Sequence, residues 1–147
     1  VEPAFGYRID YKNRSIAISG DTIYDARLVA ASRDVDILFH EAHQPKMVTA
    51  MQQAAERAGD QRIATILYDI RDYHASPEDA ANAASAANAG RLVLYHVVPP
   101  LPTRLIYPVF LGGAAKNFDG SIQIVEDGML ISLPVGSDRG SVDQVLR

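Results

Sequence analysis

The side chains of this sequence that can do chemistry are concentrated in a few short stretches. Asp21 directly follows residues 15–20. Three later places, at 40–43, 74–76 and His96, hold all four histidines of the chain. Each stretch lies at a predicted junction between regular elements. Imidazole and carboxylate groups are ligands that suit Zn(II), Mn(II) or Fe(II). The sequence has no cysteine, so disulfides and thiolate metal sites are excluded.

Such a set of residues can support metal-assisted hydrolysis. A metal held by these groups lowers the pKa of a bound water and polarises a carbonyl or phosphoryl oxygen. A histidine outside the ligand set, such as His74, can protonate the leaving group because imidazole titrates near neutral pH. Glu41 can hold that histidine in one tautomer. From spacing alone, a metal site and a set of structural residues are about equally good interpretations.

The structural interpretation differs from residue to residue. Asp21 can cap the helix that is expected after it, and Glu41 can accept an ordinary salt bridge or backbone hydrogen bond. His40 ends an apolar strand and has the pattern of a buried histidine satisfied by hydrogen bonds. His43 is expected in a solvated loop. His74 can belong to the helix cap at Ser76. His96 can be a packing residue.

Hydrophobic periodicity predicts the elements that position these side chains. Strands are expected at 5–11, 15–19, 35–39 and 91–96, and helices at 24–32, 45–58, 63–73 and 77–90. Ser76 has the signature of an N-cap. A last helix over 103–117 is expected to bend near Pro108, and a hairpin over 121–133 to turn at Asp127-Gly128. The pattern indicates a mixed α/β protein with several strand ends at one edge of its sheet.

Length and composition limit the class of protein. The chain has 147 residues, of which 48% are hydrophobic and 22% charged, as in one soluble globular domain. A formal net charge of −4 provides no basic field for nucleic acid. No stretch reaches the roughly 18 apolar residues of a membrane span, and no signal peptide is visible, so we expect a cytoplasmic location. We expect one domain over 1–135 and a polar, disordered tail over 136–147.

Five motifs occur in a fixed order: Phe-Gly-Tyr-Arg-Ile at 5–9, Ile-Ser-Gly-Asp-Thr at 18–22, Asp-Ile-Leu-Phe-His-Glu-Ala at 36–42, His-Ala-Ser-Pro-Glu-Asp-Ala at 74–80 and Leu-Val-Leu-Tyr-His at 92–96. In this order and spacing, over about 3–134, the chain resembles the C-terminal half of the metallo-β-lactamase superfamily, in its ribonuclease Z and arylsulfatase-like branch. The resemblance implies an α/β fold: half of a metallo-β-lactamase-type αβ/βα sandwich, a mixed sheet with helices on one face.

The resemblance also implies roles for single residues. Asp21 matches the aspartate that bridges two metals, and His96 matches a ligand of the second metal. His74 matches a proposed proton donor that works with the loop glutamate, here Glu41. His43 departs from the family's usual threonine. These matches imply a di-metal hydrolase of phosphodiester, ester or related bonds, with Zn(II), or Mn or Fe, as its cofactor.

The family's His-x-His-x-Asp-His motif and a further metal-binding histidine are absent from this chain. Asp21 and His96 alone are fewer ligands than a stable zinc site normally has, so we expect the isolated chain to be inactive. Two hypotheses follow. The chain is the C-terminal part of a metallohydrolase that needs its N-terminal half, or it is a non-catalytic half-fold that self-associates as a homodimer, which buries the apolar face of its sheet.

Overall fold

Five strands form a mixed sheet in the computed structural model, which describes residues 4–137 and 140–145. The strand order is β1-β2-β3-β4-β5. The first pair is antiparallel and the other pairs are parallel. The strands are β1 (Tyr7–Tyr11), β2 (Arg14–Ile18), β3 (Ile37–His43), β4 (Arg91–Val98) and β5 (Ser121–Ile124). Because β2, β3 and β4 run in one direction, their carboxyl ends meet at one edge of the sheet.

Helices connect the parallel strands. They are α1 (Ala26–Ala31), α2 (Pro45–Arg57), α3 (Gln61–Asp69), α4 (Pro77–Ala86) and α5 (Tyr107–Leu111), with short 3₁₀ turns at Ile70–Asp72, Arg104–Ile106 and Ala114–Lys116. Helix α4 starts where the sequence predicted, because Ser76 and Asp79 form a reciprocal capping box and Pro77 occupies the first turn. Among the described residues, no helix is long and apolar enough to cross a membrane.

Helix α4 packs directly on the centre of the sheet. Side chains alternate between the faces of a strand, and one face of β3 and β4 presents Leu38, Leu92 and Leu94 to the core. The facing residues of α4 are alanines, which are fully buried: Ala80, Ala81, Ala83 and Ala84. Small side chains let the helix lie close to the sheet, so this contact leaves little space for a larger residue.

We expect Ala84→Leu to lower the free energy of unfolding by about 1–3 kcal/mol, because the added side chain overpacks the interface of α4 with the sheet. Ala86→Leu is the matched control, since Ala86 belongs to the same helix but is exposed, and we expect it to change stability by less than about 0.5 kcal/mol. Urea denaturation of the two variants measures the difference. Equal effects would contradict the close packing of α4.

The region after β4 differs from the prediction. Pro108 lies in the first turn of α5, where proline is tolerated, and the helical region is interrupted instead at Gly112, whose φ is 54°. The predicted hairpin over 121–133 is wrong. β5 pairs in parallel with β4, while β6 (Met129–Ser132) pairs antiparallel with β7 (Ser141–Gln144). Burial of Ile124 in the core outweighs the local Asp-Gly turn signal.

The tail also contains more structure than the sequence predicted. Strand β7 lies within 136–147, whereas positions 138, 139, 146 and 147 of that tail lie outside the described residues. The domain boundary at residue 135 stays a prediction. Strand β3 runs four residues beyond its predicted end and includes both His40 and His43.

Candidate metal centre

Four of the predicted site residues lie at the carboxyl edge of the sheet. Asp21 follows β2, Glu41 lies in the last half of β3, and His96 lies near the end of β4. His74 precedes helix α4, in the connection that follows α3. The parallel strand order places these segments side by side, as the strand-end argument predicted.

Gly20 sets the turn that presents Asp21. Its φ is 67°, and a Cβ at this position would collide with the carbonyl oxygen of Phe5, so only glycine fits without strain. The backbone N–H of Gly20 donates a hydrogen bond of 3.1 Å to the Tyr95 hydroxyl. The loop that carries Asp21 is therefore fixed to β4, the strand that carries His96.

A β-bulge sets the direction of the His96 side chain. Glu41 pairs with Tyr95 and Ala42 pairs with Val97, so His96 is the extra residue of β4. Its φ of 44° lies in the left-handed region that side-chain-bearing residues rarely adopt. Bulges of this kind re-aim a side chain next to functional sites. The bulge brings Nδ1 of His96 to 2.9 Å from Oδ1 of Asp21.

Glu41 connects the loops of the site through hydrogen bonds. It is fully buried, and its Oε1 accepts a 2.8 Å hydrogen bond from the backbone N–H of Ala75 and a 3.4 Å one from that of Thr22. Its Oε2 lies 2.9 Å from Nδ1 of His74. One carboxylate thus holds the loop next to Asp21, the loop of His74 and the His74 ring in a common arrangement.

Asp21, His74 and His96 form a cluster that fits a metal ion. One ligand atom from each lies within 4.8 Å of the other two, and the ring centroids of His74 and His96 are 5.5 Å apart. His74 is buried, while Asp21 and His96 are exposed, so the cluster opens to solvent on one side. One carboxylate and two imidazoles are a donor set that suits Zn(II), Mn(II) or Fe(II).

Burial disfavours charge on both members of the pair formed by Glu41 and His74. It raises the pKa of Glu41 to about 7, against the hydrogen bonds from the backbone of Ala75 and Thr22, which lower it. Burial also lowers the pKa of His74, partly offset by the negative charge of Asp21. When Glu41 is ionised, Nδ1–H of His74 can donate to it, which leaves Nε2 as the ring atom that can take up a proton or bind a metal.

We expect the ionisation of Glu41 to destabilise the folded chain as the pH rises. Its pKa of about 7 in the folded chain lies above the ordinary 4.5, so its stabilising contribution is complete below pH 4.5 and is lost as the pH rises through 7. His74 has the opposite sign: its pKa is lowered, so its contribution is complete above 6.5 and is lost as the pH falls through the folded value.

Comparison of the wild-type chain with Glu41→Gln separates the two contributions. The measurement is the free energy of unfolding in urea, in metal-free buffer, between pH 4.5 and 7.5. We expect the stability of the wild type relative to the variant to fall as the pH rises. A relative stability that increases with pH would contradict the raised pKa of Glu41.

Several structural interpretations of single residues are wrong. His43 is not a solvated loop residue: it ends β3 and is buried, and its backbone N–H donates to the Ala75 carbonyl at 2.8 Å. The N-cap of α1 is Asp25, not Asp21. The His74 ring bonds to Glu41 instead of capping α4. His40 is buried as predicted, with Nδ1 2.7 Å from the backbone oxygen of Glu41, but it is not fully satisfied, because its buried Nε2 has no hydrogen-bond partner among the described residues.

Sequence reasoning missed two polar residues that support the site. Tyr95 receives the hydrogen bond from Gly20. The Ser19 hydroxyl accepts a 3.1 Å hydrogen bond from the backbone N–H of Glu41 and donates to the Gly20 carbonyl at 2.6 Å. The only signal for Ser19 is a polar residue at the end of an apolar strand, directly before the glycine.

Sequence comparison places the chain in a family. A family model described as the beta-lactamase superfamily domain matches residues 1–97. Ribonuclease Z of Mycobacterium avium (strain 104) is 33% identical over 127 residues, which is 86% of this chain and 41% of that protein. Ribonuclease Z of Mycobacterium tuberculosis (strain ATCC 25618 / H37Rv) is 32% identical over 127 residues, 86% of this chain and 42% of that protein. The chain spans about two fifths of the length of these curated relatives.

Solved structures show the same fold. The metallo-β-lactamase fold protein YhfI from Bacillus subtilis superimposes with a TM-score of 0.56 at 20% identity, over 82% of this chain and 41% of that one. The short form of human tRNase Z gives a TM-score of 0.51 at 24% identity, over 88% of this chain and 38% of that one. The chain therefore belongs to the β-lactamase superfamily domain family. Its α/β fold is of the metallo-β-lactamase type, which confirms the resemblance inferred from the five motifs.

Proposed function

We propose that this chain is the C-terminal part of a metal-dependent hydrolase that cleaves phosphodiester or ester bonds. The observation that carries the proposal is the convergence of Asp21, His74 and His96, whose ligand atoms lie within 4.8 Å of one another. The curated relatives are named ribonuclease Z, which favours a phosphodiester as the substrate. The net charge of −4 gives the chain no basic field of its own for RNA.

Asp21 and His96 are the proposed metal ligands, with Zn(II), or Mn or Fe, as the ion. When bound, such an ion supplies an activated water and polarises the scissile phosphoryl or carbonyl group. The chain contributes the positions of the ligands. Gly20 fixes the loop of Asp21, and the bulge of β4 turns His96 towards it.

His74 is the proposed proton donor to the leaving group. Its Nδ1 faces the buried carboxylate of Glu41 at 2.9 Å, which holds the ring and leaves Nε2 for proton transfer. Glu41 acts through His74, so its role is positioning. The hydrogen bond from Ala75 to Glu41 keeps the His74 loop in register with the edge of the sheet.

The test is complementation in solution. The full chain is mixed with an N-terminal segment of a curated ribonuclease Z that carries the His-x-His-x-Asp-His motif, and cleavage of bis(p-nitrophenyl) phosphate and of a short RNA is followed in the presence of Zn(II) or Mn(II). We expect no cleavage by either piece alone and metal-dependent cleavage by the mixture. A mixture that forms a complex, binds metal and leaves both substrates intact would contradict the proposal.

A second candidate function, a non-catalytic half-fold that forms a homodimer, is favoured by the edge of the sheet. In the part of the chain that the structure describes, strand β1 pairs with a strand on one side only, and the alternate side chains of one face are unusually exposed for apolar residues. Tyr7 is 65% exposed, Ile9 52% and Tyr11 62%. They lie on the face opposite to α4, because the intervening Arg8 pairs with Ala17, which belongs to the core that α4 covers. A second copy could bury this row by a two-fold contact.

We expect the wild-type chain to elute as a dimer in size-exclusion chromatography with light scattering if this candidate is correct, and Ile9→Asp to elute as a monomer because it places a charge in the buried row. Ile63→Asp on α3 is the matched control, since Ile63 is 43% exposed and distant in sequence from β1; it should leave the dimer intact. A wild-type monomer at micromolar concentration would remove this candidate.

A further inference from the structure

His74 is the third member of the cluster formed with Asp21 and His96, and the proposed function assigns proton transfer to it. A ligand atom of His74 lies within 4.8 Å of one ligand atom each of Asp21 and His96, close enough for the three residues to share one ion. Within residues 4–137 and 140–145, this is the one group of three such side chains close enough to hold a metal. Two imidazoles and one carboxylate are a donor set that would hold one divalent ion and leave coordination positions open.

The geometry points to a single-metal site that this chain builds from its own side chains, with His74 as the third ligand beside Asp21 and His96. The inference rests on the ligand pair of the proposed function and adds one residue to it. In the chain without N-terminal ligands, His74 then occupies a coordination position and is not available as a proton donor. The single-metal form therefore leaves no free His74, and the ring has to leave the ion before it can act as a proton donor.

The ligands are held in place without the ion. Nδ1 of His74 is engaged by Glu41 at 2.9 Å, as in sites where a carboxylate orients a ligand histidine and the other ring nitrogen binds the metal. The same carboxylate accepts the backbone N–H groups of Ala75 and Thr22, each next to a ligand. Little reorganisation of these two loops is needed when the ion binds.

A set of three protein ligands suits a site for one ion better than a site for two ions. A mononuclear site with an open position normally has three protein ligands, and two ions would have to share this set. The nearest additional histidine, His43, does not belong to the cluster. Its ring centroid lies 6.1 Å from that of His74, and its Nδ1 lies 3.2 Å from the Ala75 carbonyl oxygen. His43 is therefore a matched control: a buried histidine next to the site that is not a ligand.

The experiment is titration of the full, metal-free chain with Zn(II) by calorimetry and with Co(II) by visible absorption. We expect one equivalent to bind to the wild type. His74→Gln should weaken binding by at least tenfold, and Glu41→Gln by about 10- to 100-fold through loss of the orienting carboxylate. His43→Gln should bind like the wild type. Circular dichroism of each variant checks that the fold is intact.

A second readout needs no substitution in the site. Spin-active cadmium(II), added at one equivalent to the nitrogen-labelled wild-type chain, should give a scalar coupling between the cadmium and a ring nitrogen of both His74 and His96, because such a coupling requires a direct metal–nitrogen bond. The ring of His40 belongs to the opposite face of β3 from Glu41 and should show no coupling. This measurement decides the question even where His74→Gln perturbs folding.

Three results would overturn the inference: no stoichiometric binding, binding of two equivalents, or equal affinity of the wild type and His74→Gln together with no cadmium coupling at His74. These results are separable from the proposed function, because none of them requires hydrolysis. A chain that binds one ion through His74 but never cleaves a phosphodiester after complementation removes the proposed function and keeps this site. Cleavage combined with metal binding that is independent of His74 keeps the proposed function and removes this site.

Discussion

His74→Gln is expected to lower kcat of the complemented hydrolase by about 10²- to 10⁴-fold, the usual contribution of a positioned general acid. Glutamine keeps a side chain that can hydrogen-bond to Glu41, which His74 contacts at 2.9 Å, but it cannot deliver a proton. The substrate for this test is the short RNA, whose alkoxide leaving group needs a proton; its KM should change little, because the loss concerns the transition state. Steady-state kinetics of the chain mixed with the N-terminal segment, at saturating metal, measures the effect.

The control for this result is His43→Gln, the buried neighbour whose ring centroid is 6.1 Å from that of His74. It should retain kcat within about twofold of the wild type. The leaving group provides a second check. Bis(p-nitrophenyl) phosphate, whose p-nitrophenolate leaving group needs no protonation, should be less sensitive to His74→Gln than RNA. Equal losses for both substrates and for both variants would contradict a proton-donor role.

Gly20→Ala is expected to lower the free energy of unfolding by about 2–4 kcal/mol. The residue has a φ of 67°, which disfavours any side chain, and the new Cβ would collide with the carbonyl oxygen of Phe5. Relief of this collision must move the 20–22 loop away from Phe5. The expected consequence for the site is weaker metal binding, since Asp21 moves with the loop. Urea denaturation and Zn(II) titration of the variant measure both effects.

Gly59→Ala separates backbone strain from the collision. Gly59 follows α2 with a φ of 76°, but no atom lies within 4 Å of a Cβ placed there. It should cost about 1–2 kcal/mol, the penalty of the left-handed conformation alone, and should leave metal binding unchanged. Similar losses of stability and of metal affinity for the two variants would show that the contact with Phe5 does not position Asp21.

Local signals in the sequence identified the elements that carry the site. The alternating run before Gly20, the cap at Ser76 and the apolar run before His96 each act over a few residues, and the structure has β2, α4 and β4 where these signals predict them. The sequence also indicated that the ends of these elements meet, because parallel strands share an edge. Convergence of Asp21, His74 and His96 follows from this topology.

Features that depend on pairing between distant segments were not predictable. The direction of the His96 side chain depends on a bulge that exists only in the register of β4 against β3. The burial of His43 depends on the extension of β3 beside β4 and on the contact with Ala75. The partner of β5 is β4 and not β6, because core burial of Ile124 outweighs an Asp-Gly turn.

The proposed third ligand, His74, is a further case of this kind. Two ligands, Asp21 and His96, were indicated by resemblance to a family, which assigns His74 another role. Only the distances show that His74 is close enough to join them. The distances fit both proposed roles of His74, ligand in the chain alone and proton donor after assembly, since both use a ring that Glu41 holds in the same place.

Cleavage of bis(p-nitrophenyl) phosphate by the chain complemented with the His-x-His-x-Asp-His segment, compared between the wild type and Asp21→Asn, tests the central claim most directly. The account predicts metal-dependent turnover that a chelator abolishes, that Zn(II) or Mn(II) restores, and that falls by at least about 10³-fold in Asp21→Asn, with complex formation unchanged. Turnover that survives the substitution, or a metal-loaded complex without turnover, would contradict it.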